Sequence, residues 1–206
     1  MFSDIVMPKN NEAEFIEVAA KLGIKKLYFL YDFDGYNEEK IQLKLNEIKN
    51  KTVGIGVGFV VSRNNLDKSG KKPKFLFAKS SEKDRFFIES KKIKLIYGFE
   101  DLHKKDYLHQ RASGLNHVMC ELAKKNNVIV GFSYGSLLNK DSLETSLLIG
   151  RMSQNISLCR KYKVKTMIGC FSSSAFDLRA HHDVISLFKV FGMDGNIAKS
   201  SLVYNF

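Results

Sequence analysis

Three consecutive stretches decide the fold class: Asn127-Val128-Ile129-Val130-Gly131-Phe132-Ser133, the segment Ser142 to Tyr162, and Lys165-Thr166-Met167-Ile168-Gly169-Cys170-Phe171. The outer two are short apolar runs rich in β-branched residues, the signature of buried strands. The middle one places Leu148, Met152, Ile156 and Cys159 at helical spacing, so they form one stripe. Asp141 with Glu144 fits a capping box at its start, with Asp in the Ser/Thr role. Strand, helix, strand at this spacing is a βαβ unit, which makes the sheet parallel.

The same alternation runs through the rest of the chain. Further strands are expected at about Phe2–Met7, Lys26–Tyr31, Val53–Val61, Phe75–Ala78 and Ile93–Phe99, which brings the total to seven. Helical stripes fall at Asn11–Leu22 (Phe15, Val18, Ala19, Leu22), at Glu38–Lys49 (Ile41, Leu45, Ile48), and after Ser113 (Leu115, Val118, Met119, Leu122). A last one spans His182–Phe191. Gly23 and Gly192 are placed to end helices, and Asn126-Asn127 to end one in a left-handed turn. Right-handed crossovers leave a closed barrel or an open doubly wound sheet. Seven strands in 206 residues is short for an eight-fold barrel, which needs about 250, and an incomplete TIM-barrel-like (β/α) barrel fits better than an open sheet. Ser62–Lys74 has no apolar period and reads as a basic surface loop. With no repeat and no break in composition, residues 1–206 form one expected domain.

Composition excludes several classes. At 44% hydrophobic residues the chain has material for a core, and its two prolines exclude Pro-rich or collagen-like architecture. The apolar run Val53–Val61 is far short of the ~20 residues a membrane span needs. Met1-Phe2-Ser3-Asp4 shows neither the charged nor the apolar region of a secretory signal. Cys120, Cys159 and Cys170 are odd in number, with no C-x-x-C, and read as reduced core thiols of a cytoplasmic protein. The net charge of +11 is uneven: residues 1–62 sum to −1, residues 63–105 to +7, and residues 106–206 to +5. Clustered Lys/Arg is the electrostatic footprint of a nucleic-acid partner, and the bland alternative is a solvated Lys-rich surface.

Most candidate motifs dissolve on inspection. Gly54, Gly56 and Gly58 have the spacing G-x-G-x-G within a strand, whereas a phosphate-binding turn lies after one. Close packing inside a narrow sheet accounts for them better. Ser69-Gly70-Lys71-Lys72 is no Walker loop, since Asn65 stands where its first Gly is needed. His103, His109, His117, His181 and His182 form no H-x-H or H-E-x-x-H, so no local metal spacing exists. Asp32 and Asp34 follow a strand and read chiefly as solvated turn residues. Asp106 to Asn116 (DYLHQRASGLN) is richer. Ser113 is a candidate N-cap, Gly114 allows close approach, and Arg111 beside a helix start makes an anion site. A capped helix with a solvated Arg is the competing reading.

The run Arg111 to Ala123, R-x-S-G-L-N-H-V-x-C-x-L-A, resembles the family of archaeal ribonuclease P protein component 3. The resemblance continues through Gly131-Phe132-Ser133, Gly150 to Ile156, Leu158 to Tyr162, Leu178-Arg179 to Asp183, Gly192-Met193 and Ala198-Lys199. It is dense over residues 106–202 and extends to the first 105 residues only in strand–helix order and length. It implies a TIM-barrel-like fold related to metal-dependent barrels of the polymerase and histidinol phosphatase type. Those enzymes open with D-x-H-x-H on the first strand, but here Phe2 to Lys9 contains no His. The resemblance therefore implies no catalytic residue and no metal or cofactor on this chain. It implies a ribonucleoprotein that removes the 5′ leader of precursor tRNA, with Mg²⁺ and the chemistry on its RNA subunit. The implied partners are that RNA, protein component 2 with the other protein components, and precursor tRNA indirectly; no membrane is involved.

Carried onto matching positions, the resemblance assigns phosphate contacts to Arg111, Arg179 and Lys199, placed near the carboxyl-terminal halves of the last strands. Lys161, Lys124 and Lys125 follow as second-tier contacts, and His117 as an RNA contact or a support for Arg111. Ser113, Asn116 and Asp183 are supporting residues, with Asp183 expected to hold Arg179. The alternative for Asp183 is a helix-start carboxylate, and for Arg151 and Arg160 it is a surface ion pair. Two other functions compete. One is a metal-dependent phosphoesterase rebuilt from His109, His181, His182 and Asp32. The other is a protein–protein module with an acidic partner.

Overall fold

Parallel strands cannot be joined by tight turns, so each βα repeat lays its helix across the sheet before the next strand begins. The computed structural model, which describes residues 2–33, 41, 43–45, 52–66, 75–138 and 140–204, shows that outcome repeated along the chain. The elements are β1 (Ser3–Val6), α1 (Glu12–Lys21), β2 (Lys26–Asp32), β3 (Gly54–Val60), α2 (Arg63–Leu66), β4 (Leu76–Lys79), α3 (Asp84–Ser90) and β5 (Leu95–Tyr97). They continue with α4 (His117–Asn126), β6 (Ile129–Ser133), α5 (Ser142–Tyr162), β7 (Thr166–Gly169), α6 (His181–Val190) and α7 (Gly195–Ser200). The seven strands pair in sequence order, all parallel.

The sheet curls until β7 meets β1, and the seam has three parts. At the carboxyl-terminal end, Phe171 N–H donates to Ile5 O (2.8 Å) and Met7 N–H to Ser172 O (2.9 Å). At the amino-terminal end the segment after α7 is inserted: Ser3 N–H donates to Leu202 O and Ile168 N–H to Ser201 O, both 2.8 Å. Between them the Asp4 carboxylate bridges the strands. Its Oδ1 accepts from Cys170 N–H (2.8 Å) and Ile5 N–H (2.7 Å), and its Oδ2 from the Tyr134 hydroxyl (2.5 Å). Asp4 is buried, and burial pushes its carboxyl up to about 6 despite these donors.

Strand alternation separates two apolar layers. Ile5, Tyr28, Leu30, Phe77, Leu95, Tyr97, Met167 and Tyr204 fill the barrel. The opposite faces, Val6, Leu27, Phe29, Ile96, Val130, Phe132 and Ile168 among them, pack under the helices. The glycines of β3 follow from register. Gly56 stands opposite Tyr28 and Gly58 opposite Leu30. A Cβ on Gly56 would lie 2.5 Å from the Tyr28 ring, and one on Gly58 would lie 2.4 Å from the Phe77 ring. Gly54 has no such crowding; its nearest neighbour would be 3.5 Å away. The expected close packing therefore holds at two of the three positions.

Several local expectations change. The N-cap of α4 is Asn116, whose side chain accepts from Met119 N–H, and not Ser113, which is buried upstream. Ser62–Lys74 is not wholly a loop: α2 occupies its start and buries Leu66, while residues 67–74 lie outside the described residues. Most of the helix expected over Glu38–Lys49 also lies outside them, as does Asp34; residues 41 and 43–45 are helical. Helices α3 and α7 were not anticipated. Asp141 caps α5 by accepting from Glu144 N–H, Asn127 is left-handed, and the three cysteines are buried and unbridged.

Two measurements test this packing. Gly58→Ala overfills the barrel and lowers stability by about 1–3 kcal/mol, read as a fall in the urea midpoint. Asp4 keeps its proton to higher pH folded than unfolded, so the cost of ionising it is present above pH 6 and relieved as pH falls towards about 4. Wild type therefore gains about 1.4 kcal/mol per pH unit over that window relative to Asp4→Asn, in urea titrations run side by side.

Candidate nucleic-acid interface

The 15 residues between Phe99–Asp101, a 3-10 turn after β5, and the start of α4 at His117 form the longest described connection on the carboxyl-terminal side of the sheet. The long helix α5 holds it in place. Arg151, only 2% exposed, donates from Nε to Asp106 Oδ1 (2.7 Å) and from Nη1 to the carbonyls of Glu100 (3.0 Å) and His103 (2.5 Å). It is a buried strut, not the surface ion pair named as its alternative. Asn155 Nδ2 donates to Ser113 O (2.8 Å), and Ala112 N–H donates to Asp106 Oδ1 (2.9 Å). Gly114, at φ +77°, lies so close to Phe99 O that a Cβ would sit 2.3 Å from it. Against some desolvation, the Ala112 amide, Arg151 and nearby Arg111 hold the Asp106 carboxyl below its ordinary value. Glu100, fully buried behind this loop, is pushed by burial up to about 8.

This scaffold presents Arg111. Its guanidinium is exposed and lies directly over Gly150 of α5, where a Cβ would be 1.3 Å from Nη1. The groove around it has a volume of about 560 Å³ and is lined by Ser146, Ile149, Ser153, Gln154 and Ser157. Tyr107 (63% exposed) and Leu108 (91% exposed) stand on the same loop.

Arg179 occupies the equivalent connection after β7. Its Nη1 donates to Phe176 O (2.7 Å) and Leu178 O (2.9 Å), beside a Phe176 ring that is 73% exposed. Asp183 does not hold it; that carboxylate lies exposed in the first turn of α6, the helix-start position named as its alternative. Tyr134 ties this loop to the seam by accepting from Arg179 N–H (3.4 Å) while donating to Asp4.

The remaining sequence candidates divide by location. His117 opens α4, is exposed, and has no hydrogen bond to Arg111 among the described residues. Lys124 and Lys125 end α4, and Lys161 ends α5 with its ammonium 5.5 Å from the Tyr162 ring centre. Lys199 ends α7, just before the segment inserted at the amino-terminal end of the seam. These four lysines therefore lie at the opposite end of the barrel from Arg111 and Arg179. The expectation that Lys199 sits near the strands' carboxyl-terminal halves is corrected, because α7 has returned the chain to the start of β1. His109, His181, His182 and Asp32 do not converge: among the described residues no three His, Cys, Asp or Glu side chains form a group able to hold a metal. His181 is instead stacked on Phe2 at 3.9 Å. Sequence reading missed Tyr107 and Phe176, exposed on the same loops as the two arginines, and the barrel mouth described below.

Fold and site together define a TIM-barrel-like α/β protein whose outer loops present braced guanidinium groups. Residues 101–206 match the family described as RNase P subunit p30, and the chain belongs to that family. It is 33% identical over 92 residues to ribonuclease P protein component 3 of Methanococcoides burtonii, a match covering 45% of this chain and 38% of that protein. The corresponding protein of Methanothermobacter thermautotrophicus is 24% identical over 195 residues, 89% of this chain and 77% of the relative. Among solved structures, one chain from the cryo-EM structure of archaeal ribonuclease P with mature tRNA superposes with a TM-score of 0.74. At 19% identity, over 97% of this chain and 86% of that one, this likeness establishes the shared barrel fold.

The Arg111–Gly150 contact makes a specific prediction. Gly150→Ala forces the flexible guanidinium off the helix, while the gain in helix propensity raises stability by up to about 1 kcal/mol. The urea midpoint and the Arg111 Nε–H resonance should report a stable protein with a displaced Arg111.

Proposed function

We propose that this chain is an RNA-binding subunit of ribonuclease P, the ribonucleoprotein that removes the 5′ leader from precursor tRNA, and that it supports folding and positioning of the RNA without carrying the chemistry. Family membership and the names of its relatives support this reading. The observation that carries it is Arg111, an exposed guanidinium seated over Gly150 on a loop braced through Asp106 and Arg151, within the segment that matches the family. An exposed guanidinium beside hydroxyl-lined groove walls suits a phosphate oxygen, to which Arg donates in a planar fork.

In this reading Arg111 and Arg179 contact the RNA backbone from one end of the barrel. Lys124, Lys125, Lys161 and Lys199 contact a second segment, or a second partner, from the other. Ser113 and Asn116 act through the loop, Ser113 by its carbonyl and Asn116 as the cap of α4. His117 is a further RNA contact. The chain binds no cofactor of its own, Mg²⁺ stays with the RNA, and protein component 2 is its protein partner in a cytoplasmic particle. Among the described residues no helix is long and apolar enough to cross a membrane.

Arg111→Ala and Arg179→Ala each weaken binding of ribonuclease P RNA about ten- to a hundredfold, the scale of one lost charged hydrogen bond. Each also lowers the slope of log K against log salt by somewhat under one. Filter binding between 50 and about 200 mM salt reads both. A salt-independent interaction, or none, overturns the reading in favour of an acidic protein partner.

A further inference from the structure

The mouth of the barrel, at the carboxyl-terminal ends of the strands, is a cavity of about 550 Å³. That lies within the range of small-ligand sites, ~300–1,000 Å³. Its floor is aromatic. Phe171 stacks on Tyr97 with ring centres 4.3 Å apart and planes 12° off parallel, and the Tyr97 hydroxyl reaches Met7 Sδ at 3.7 Å. Phe171 is half-buried, with part of its ring open to the cavity. It also has a left-handed backbone, φ +51°, a conformation that four glycines and four other non-glycine residues share among the described residues. A glycine there would carry no steric penalty, but only a side chain puts a ring over Gly169, where a Cβ would be 2.9 Å from it. The conformation that β-carbons avoid is held at the residue that roofs the barrel.

The rim carries two lysines, two carboxylates and hydroxyl groups. Lys79, exposed at the end of β4, passes over Gly98, with its Cγ 3.9 Å from where a Cβ would stand. It has no carboxylate partner among the described residues. Lys140 is shared between Asp101 (3.6 Å) and Glu144 (3.9 Å). Ser136 and Ser173 complete the wall. Lys79 also lines an adjoining cleft of about 430 Å³ with Arg63, Lys83 and the carboxylate Asp32.

A half-buried ring at the cavity beside an ammonium without a carboxylate partner among the described residues, leading into a second cleft where three cations meet one carboxylate, is an arrangement suited to single-stranded nucleic acid: a base stacks and its phosphates follow the cations. A duplex does not enter a cavity this size. We propose that the barrel mouth receives one unpaired nucleotide, its base on Phe171 and its phosphate at Lys79, with the next phosphate directed towards Arg63 and Lys83. This rests on the RNA-binding reading above but uses none of the residues assigned there.

The test uses the intact chain and a pentauridylate carrying a central 4-thiouridine, with binding followed by fluorescence anisotropy. Irradiation should cross-link the thiobase to the peptide containing Phe171. Phe171→Leu, which keeps apolar bulk but removes the π-face, should weaken binding about five- to a hundredfold. Lys79→Ala, at an exposed position that folding does not depend on, should lower the salt slope by about 0.7. Wild-type affinity in the Lys79 variant, or cross-links confined to the Arg111 loop, overturns the proposal. Loss of ribonuclease P RNA binding in Arg111→Ala alongside unaffected mouth variants sinks the mouth and leaves the subunit assignment standing. Unchanged binding in all of them sinks both.

Discussion

At the seam between the first and last strands, the Asp4 carboxylate accepts from its own strand at Ile5, from Cys170 on the far side, 166 positions away, and from Tyr134 above them. Every other strand pair is held by a continuous parallel ladder, but here the ladder is interrupted and a side chain fills the gap. An open seam would leave two edge strands with bare amides and carbonyls. The layers inside the barrel depend on closure, because Ile5 and Met167 become neighbours only when the two ends of the sheet meet. Tyr134 extends the same network to Arg179, so the cation-bearing loop after β7 is anchored to the bond that closes the fold.

The molecule places its charge by the same economy of connections. Loops that leave the carboxyl-terminal ends of the strands carry Arg111, on a loop tied down through Asp106 and Arg151, and Arg179, braced by main-chain carbonyls. Helices ending at the other rim carry Lys124, Lys125, Lys161 and Lys199, which favour the negative ends of the helix dipoles without needing a fixed geometry. Guanidinium groups with defined orientation suit recognition of particular phosphates, whereas lysines at helix ends supply a diffuse field. Arg151 belongs to neither set. Burial and three acceptors make it part of the loop's internal framework, and its charge is spent on Asp106.

Strand order and the amphipathic helices were legible because period and β-branching are local properties. All seven strands and the full extent of α5 follow from residues within a few positions of one another. The family motif around Arg111 was legible for the same reason. What escaped depends on contacts distant in sequence. Arg151 and Arg160 look alike on a helix, and only the return of the Asp106 loop buries one of them. Ser113 has the chemistry of an N-cap, but Gly114 turns the chain against Phe99 and moves the helix start to Asn116. Lys199 was assigned to the wrong rim because α7, six residues long and weakly patterned, reverses the chain before the end. Phe171 reads as one more strand residue until its φ and its stack on Tyr97 are known.

The inserted segment at the amino-terminal end of the seam has a consequence for how the barrel comes into being. Ser201 and Leu202 supply acceptors to Ile168 and Ser3, and Tyr204 plugs the interior against Tyr28. Of the seven strands β1 leaves the ribosome first, yet its outer edge has no mate until Cys170 to Ser172, 166 positions on, have followed, and its amino-terminal end none until Leu202. A nascent chain therefore exposes that edge until β7 has followed, and the βα units can stack progressively while the cylinder stays open.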